Sequence, residues 1–101
     1  DMVLEIATLH IRPGQTADFE AAFAKAQKII VSMPGYLEHE LHRCLEDGHQ
    51  YVLLVRWKTL AHHTEGFRQS PQYQEWRALL HHFYDPFPTV LHYAPVLPAK
   101  S

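Results

Sequence analysis

The sequence predicts an α+β fold with the element order β-α-β-β-α-β: a four-stranded antiparallel sheet with its helices on one face, the ferredoxin-like arrangement. Three observations point to it. Extended, β-rich runs stand near both ends of the chain, an apolar period of three and four runs from Thr16 to Met33, and Asp47-Gly48 separates two extended central runs as a hairpin turn does.

Residues 3 to 12 alternate loosely, are rich in aliphatic and β-branched side chains, and close on Pro13-Gly14, which predicts the first strand. Phe19, Ala22, Phe23, Ala26, Ile29, Ile30 and Met33 then form one helical face, with Thr16 as the expected cap and Asp18 and Glu20 near the positive end of the dipole. Met33-Pro34-Gly35 stops this helix. Residues 36 to 45 and 50 to 58 flank Glu46-Asp47-Gly48-His49 and are expected to pair antiparallel. In the second run Tyr51, Leu53, Val55 and Trp57 share one face and Val52 and Leu54 the other, so both faces require cover. Thr59 can cap a short helix to about Gly66. Ser70-Pro71 opens another running to about Phe83, whose inner stripe is Tyr73, Trp76, Leu80 and Phe83. Asp85-Pro86-Phe87-Pro88 forbids its continuation, and residues 89 to 96 predict a final strand whose Pro95 suits an edge or a strand end.

Composition narrows the function. A chain of 101 residues fits one domain, expected over 2–97, with Asp1 as a cloning remnant and 98–101 as a tail. Nine Lys and Arg against eleven Asp and Glu give a net charge of -2 and no basic stripe, which argues against nucleic acid. The longest apolar run, Tyr51 to Trp57, is broken by Arg56 and is far short of the ~20 residues a membrane helix needs. No leader pattern precedes the first strand, and a lone Cys44 makes no internal disulfide, so the expected address is the cytoplasm. Glycine-rich phosphate loops, G-x-S-x-G and H-E-x-x-H are missing, so no nucleotide or flavin cofactor is expected. Histidine is the outlier, nine residues with pairs at His62/His63 and His81/His82. Neither His81 with His82 on a helix nor His39 with His42 on a strand converges, so no metal site is expected.

The run LEIATLHIRPGQTADFEAAF, the Pro34-Gly35-Tyr36 turn, the passage Val55-Arg56-Trp57-Lys58-Thr59-Leu60-Ala61-His62-His63 and the following Phe67-Arg68-Gln69-Ser70-Pro71 resemble the antibiotic biosynthesis monooxygenase family. These are small dimeric α/β-barrel proteins related to quinol and haem-degrading monooxygenases. The resemblance spans nearly the whole chain. It implies a pocket between the sheet and the split second helical segment, where a phenol or quinol is deprotonated and its electron-rich anion reduces oxygen without metal or flavin. Matching pocket positions are Trp57, His62 or His63, Phe67, Tyr73 and Trp76. The position of the haem ligand in haem-degrading members is matched by Arg77, and strand one offers Glu5 and Thr8 where those members carry asparagine, so haem cleavage is disfavoured; His81 is the ligand if the match slips by one turn.

Aromatic residues at strand or helix spacing most often pack as core, and a half-buried histidine is most often a hydrogen-bonded structural one. The functional expectation set against this is that Trp57, His63, Phe67, Tyr73 and Trp76 line one cleft. His63, four residues before Phe67, shares its helical face, whereas His62 points outward. His63 and Trp57 are thus the candidate catalytic residues, with His63 the proton acceptor, and Phe67, Tyr73, Trp76 and Arg77 the candidate substrate-binding residues. The expected function is cofactor-independent monooxygenation of a small aromatic molecule. The alternatives are a binding module without turnover and a haem-handling relative. The apolar second sheet face predicts a homodimer formed through it.

Overall fold

The computed structural model describes residues 2–97; Asp1 and the expected tail at 98–101 lie outside them. Strands β1 (Val3–His10), β2 (Tyr36–Arg43), β3 (Gln50–Trp57) and β4 (Val90–Tyr93) form one antiparallel sheet in the order β2-β3-β1-β4. Helix α1 (Thr16–Val31), a π-helical turn (His62–Phe67) and helix α2 (Pro71–Leu80), extended by a 3-10 turn (His81–Phe83), pack on one face. This is the expected α+β architecture. Alternation sets the two sheet faces: Glu5, Ala7 and Leu9 of β1 point to the helices with Tyr51, Leu53, Val55 and Trp57 of β3, all buried.

Helix α1 closes this core with Phe19, Phe23, Ala26 and Ile30, four or three residues apart. Phe19 lies at its centre, edge-on to Tyr51 at 5.0 Å and to Phe83 at 5.8 Å. The opposite face carries Leu4, Ile6, Val52, Leu54, Leu91 and Tyr93, the last two about half exposed.

Several expected boundaries shift for local reasons. The first strand ends at His10 rather than residue 12, and Ile11 makes a single bridge to Tyr84. Thr16 is the first residue inside α1, not its cap: Gln15 stands before the helix without a side-chain bond, because Gln15 N–H closes the Pro13-Gly14 turn on the Arg12 carbonyl at 3.1 Å. The final strand is only four residues long, and Pro95 falls beyond it. Ser70 does cap α2, its hydroxyl accepting from Tyr73 N–H at 3.2 Å with Pro71 first in the helix.

The short helix expected from Thr59 to Gly66 is instead π-helical, with the His63 carbonyl accepting from Arg68 N–H five residues on. Its entry is fixed at two points. Thr59 Oγ1 accepts from His62 N–H at 3.2 Å, and the His62 ring lies on the backbone of Gly35. Gly35 has φ +83°, and a Cβ there would lie 2.2 Å from His62 Cγ. Its carbonyl also accepts from Lys58 N–H at 2.8 Å, tying the start of β2 to the end of β3. The glycine therefore sets where the next residue, His63, meets the sheet.

Substituting Gly35→Ala imposes a left-handed backbone cost of about 1–2 kcal/mol and an overpacking cost of about 1–3 kcal/mol, so a loss of roughly 2–5 kcal/mol is expected in urea unfolding. An unchanged midpoint would show that His62 moves aside freely.

Candidate active site

A cavity of about 460 Å³ opens between the inner sheet face, the π-helical turn, α2 and the segment after the 3-10 turn. Phe67, Tyr73, Trp76, Tyr84 and Phe87 supply aromatic walls, Ala7, Leu9, Leu53 and Val90 the sheet side, and His63, His81, Arg68 and Glu5 the polar groups. The size suits a small aromatic molecule.

Glu5 is the unexpected member. Its position two and four residues before Ala7 and Leu9 places a carboxyl among core residues, 5% exposed. Trp57 Nε1–H donates to Glu5 Oε1 at 2.9 Å, and His63 Nε2 lies 3.3 Å from the same oxygen. Oε2 has no partner among the described residues, yet no fully buried polar side-chain atom there is unpaired, so Oε2 retains contact with the cavity that Glu5 lines. Burial raises the Glu5 pKa to about 7, against the opposing pull of the Trp57 bond and the positive charge of Arg68.

His63 is 4% exposed, its ring stacked on Trp57 at 5.3 Å and 18°. Nδ1 meets His92 Nε2 at 2.8 Å. Burial, then the charges of Arg68 and His92, lower its pKa to about 3, so the ring is neutral and the proton shared by the pair resides on the carboxyl. His92 is half-buried on β4, directly opposite Glu5 in the strand register.

Four of the five residues expected in one cleft, His63, Phe67, Tyr73 and Trp76, line the cavity. Trp57 does not. It is fully buried behind Glu5, donating to the carboxyl and stacked on the imidazole. Arg77 is likewise outside the cavity, on the exposed face of α2, one residue past the inward-facing Trp76; the cavity's guanidinium is that of Arg68. His63 lines the cavity and His62 does not, its ring lying instead against Gly35. Sequence reasoning passed over Glu5 and His92, although both were detectable: each sits on the inward parity of an alternating strand, Glu5 with Ala7 and His92 with Val90.

The other walls are electrically quiet. Burial and the neighbouring Arg77 charge lower the His81 pKa, and burial raises that of Tyr84, so both rings are neutral at pH 7. Arg68 is then the cavity's fixed positive charge.

Comparison with known proteins agrees with this architecture. The family described as antibiotic biosynthesis monooxygenase matches residues 2–79. The Bacillus subtilis (strain 168) protein YczJ is 57% identical over 95 residues, covering 94% of this chain and 100% of its own. A Bordetella bronchiseptica protein assigned to the same family superimposes with a TM-score of 0.90 at 40% identity, over 95% of this chain and 98% of its own. SnoaB, a cofactor-independent oxygenase from Streptomyces nogalater, shares the fold at a TM-score of 0.86 and 17% identity, over 100% of this chain and 99% of its own.

The raised carboxyl makes a stability prediction. A folded pKa of about 7 against 4.5 unfolded means that ionising Glu5 destabilises the fold as pH rises between those values. Neutral His63 acts in the opposite sense, stabilising above 6.5 and failing as pH falls toward 3. Glu5→Gln removes only the first effect. At pH ~8 the variant should be more stable by about 1–3 kcal/mol, and the gain should vanish below pH ~4.5. Equal denaturation midpoints at the higher pH would show that the carboxylate carries no burial penalty.

Proposed function

Because the chain belongs to the antibiotic biosynthesis monooxygenase family, we propose that it oxygenates a small phenol or quinol without metal or flavin, with Glu5 as general base. The observation that carries this reading is a buried carboxyl, its pKa lifted to about 7, at the head of an aromatic-walled cavity that also holds one arginine.

The magnitudes favour Glu5 over His63 as proton acceptor. A phenol of pKa ~10 passes its proton to a group near 7 at a cost of about 4 kcal/mol, whereas transfer to His63 near 3 costs about 10 kcal/mol. His63 Nδ1 is also taken by His92, and its Nε2 lies 3.3 Å from Glu5 Oε1 itself. Arg68 compensates part of the remaining cost by favouring the phenolate. The anion then reduces oxygen by itself. A carbon–oxygen bond forms at a ring carbon, that carbon's C–H proton is lost as the O–O bond breaks, and phenol plus O₂ gives quinone plus water, whose two protons are the one held by Glu5 and the one from carbon. The apolar walls orient the ring and exclude water from the reactive anion.

The same reading includes a homodimer and a cytoplasmic setting, for which the lone Cys44 is suited. The outer sheet face supports the dimer. Ile6 and Leu54 are opposed in register with Leu91 alongside, and the Glu38–Arg56 pair at 3.0 Å marks the polar margin on the β2 side. Among the described residues no helix is long and apolar enough to cross a membrane.

Oxygen uptake with a panel of hydroquinones and anthrones tests the chemistry. Turnover is expected, falling by ~10²-fold or more in Glu5→Gln, with a rate rising through pH ~7 as the carboxyl ionises. Tight binding of a panel member without oxygen consumption would establish a binding module instead. Sedimentation should give a dimer at micromolar concentration, reduced to monomer by Ile6→Lys. A stable wild-type monomer overturns the sheet-face pairing.

A further inference from the structure

We propose that Glu5, His63 and His92 form a proton relay connecting the cavity to the edge strand β4, with His92 as the exit. The proposal deepens the reading above and rests on Glu5 being the group that meets the ligand.

The geometry is that of a wire. His63 uses one ring nitrogen toward each neighbour, Nε2 at 3.3 Å from Glu5 Oε1 and Nδ1 at 2.8 Å from His92 Nε2. An imidazole so placed accepts a proton on one nitrogen and gives one up from the other. The three groups also lie in order from inside to outside. Glu5 and His63 line the cavity and are almost fully buried, whereas His92 is half-buried, does not line the cavity, and stands on an edge strand between the exposed Leu91 and Tyr93. The β1–β4 register sets Glu5 and His92 side by side, and His63 bridges them from the π-helical turn.

Such a path is needed because the cavity is the carboxyl's own opening to solvent. A ligand seated there covers Oε2 and isolates Glu5 from water while the carboxyl is still protonated. The proton must then leave on the other side for Glu5 to become a base.

Charge dictates the manner of transfer. The ionisable groups facing His63 are Glu5 from β1, Arg68 after the π-helical turn and His92 from β4, and those facing His92 are His63 and Arg68. Burial and Arg68 disfavour a His63 imidazolium, so the hops are concerted. The Glu5 O–H bond breaks as a bond to His63 Nε2 forms, the Nδ1 proton passes to His92 Nε2, and His92 releases its own Nδ1 proton to water. Glu5 is left as carboxylate, both rings have exchanged tautomers, and no group is oxidised or reduced. The reverse sequence reprotonates the carboxyl.

The test needs no substrate. Long-range ¹H–¹⁵N spectra of the labelled wild-type protein across about pH 5 to 9 report which nitrogen of each histidine holds the proton. The His63 proton should move from Nδ1 to Nε2, and the His92 proton should make the same move at the same midpoint. In Glu5→Gln neither ring should switch. A His63 tautomer unchanged throughout, or His92 titrating at its own midpoint, overturns the relay. A kinetic arm separates this outcome from that of the oxygenase reading. With any hydroquinone the protein oxidises, His92→Ala should lower kcat by about tenfold or more in dilute buffer at unchanged KM, and added imidazole should restore it. Wild-type kcat in that variant, or loss without rescue, also overturns the relay. If no hydroquinone is oxidised, the oxygenase reading fails and the spectra alone decide the wiring.

Discussion

One carboxyl group, Glu5, constrains the design of this protein. A strand that must present one face to a hydrocarbon core carries, at one inward position, a side chain whose charged form costs several kcal/mol to bury. The fold accommodates it by keeping the group neutral at the edge of physiological pH and by surrounding it with exact partners: an indole N–H that tolerates either protonation state, and an imidazole held parallel to that indole. Trp57 is thus a core residue whose polar edge serves the site, and its complete burial fixes Glu5 in place. The strain between stability and charge at Glu5 is what gives the group useful acidity.

The helical layer is shaped by the same requirement. An ordinary α-turn after β3 would carry the chain past the sheet at a different phase; the π-helical turn, entered over Gly35 and Thr59, lowers His63 onto Trp57 and Glu5 while leaving Phe67 and Arg68 at the cavity. Histidine abundance accordingly reflects several separate tasks. His39 accepts from the Tyr36 hydroxyl at 2.5 Å and meets Gln27 at 2.8 Å, His62 seats the turn, His81 is an aromatic wall, and only His63 and His92 connect to the carboxyl.

The fold was legible because its signals are local and repetitive: the period of α1, the Asp47-Gly48 turn and the Ser70-Pro71 start each act within a few residues. Most of the cavity walls were legible for the same reason, since Phe67, Tyr73 and Trp76 are fixed by helical phase. Glu5 and His92 enter the site through contacts 29 to 87 positions apart in the sequence, which no short window on the chain displays, although strand parity marked both. Arg77 matches a family position by sequence, whereas the guanidinium at the cavity is that of Arg68, which follows the π-helical turn. Trp57 was assigned to the chemistry because strand position alone does not distinguish an aromatic residue facing a cavity from one standing behind its base.

Phe87 and Pro88 wall the cavity from positions between the 3-10 turn and β4 that lie outside the strand pairings. Glu5 and its partners, by contrast, are anchored in β1, β3, β4 and the π-helical turn. The shape of the molecule admitted and the acidity of the group that meets it are therefore written in different parts of the chain. Replacing Phe87 or Pro88 reshapes the cavity without touching a strand pairing or the contacts of Glu5, so this wall can be refitted in small, independent steps.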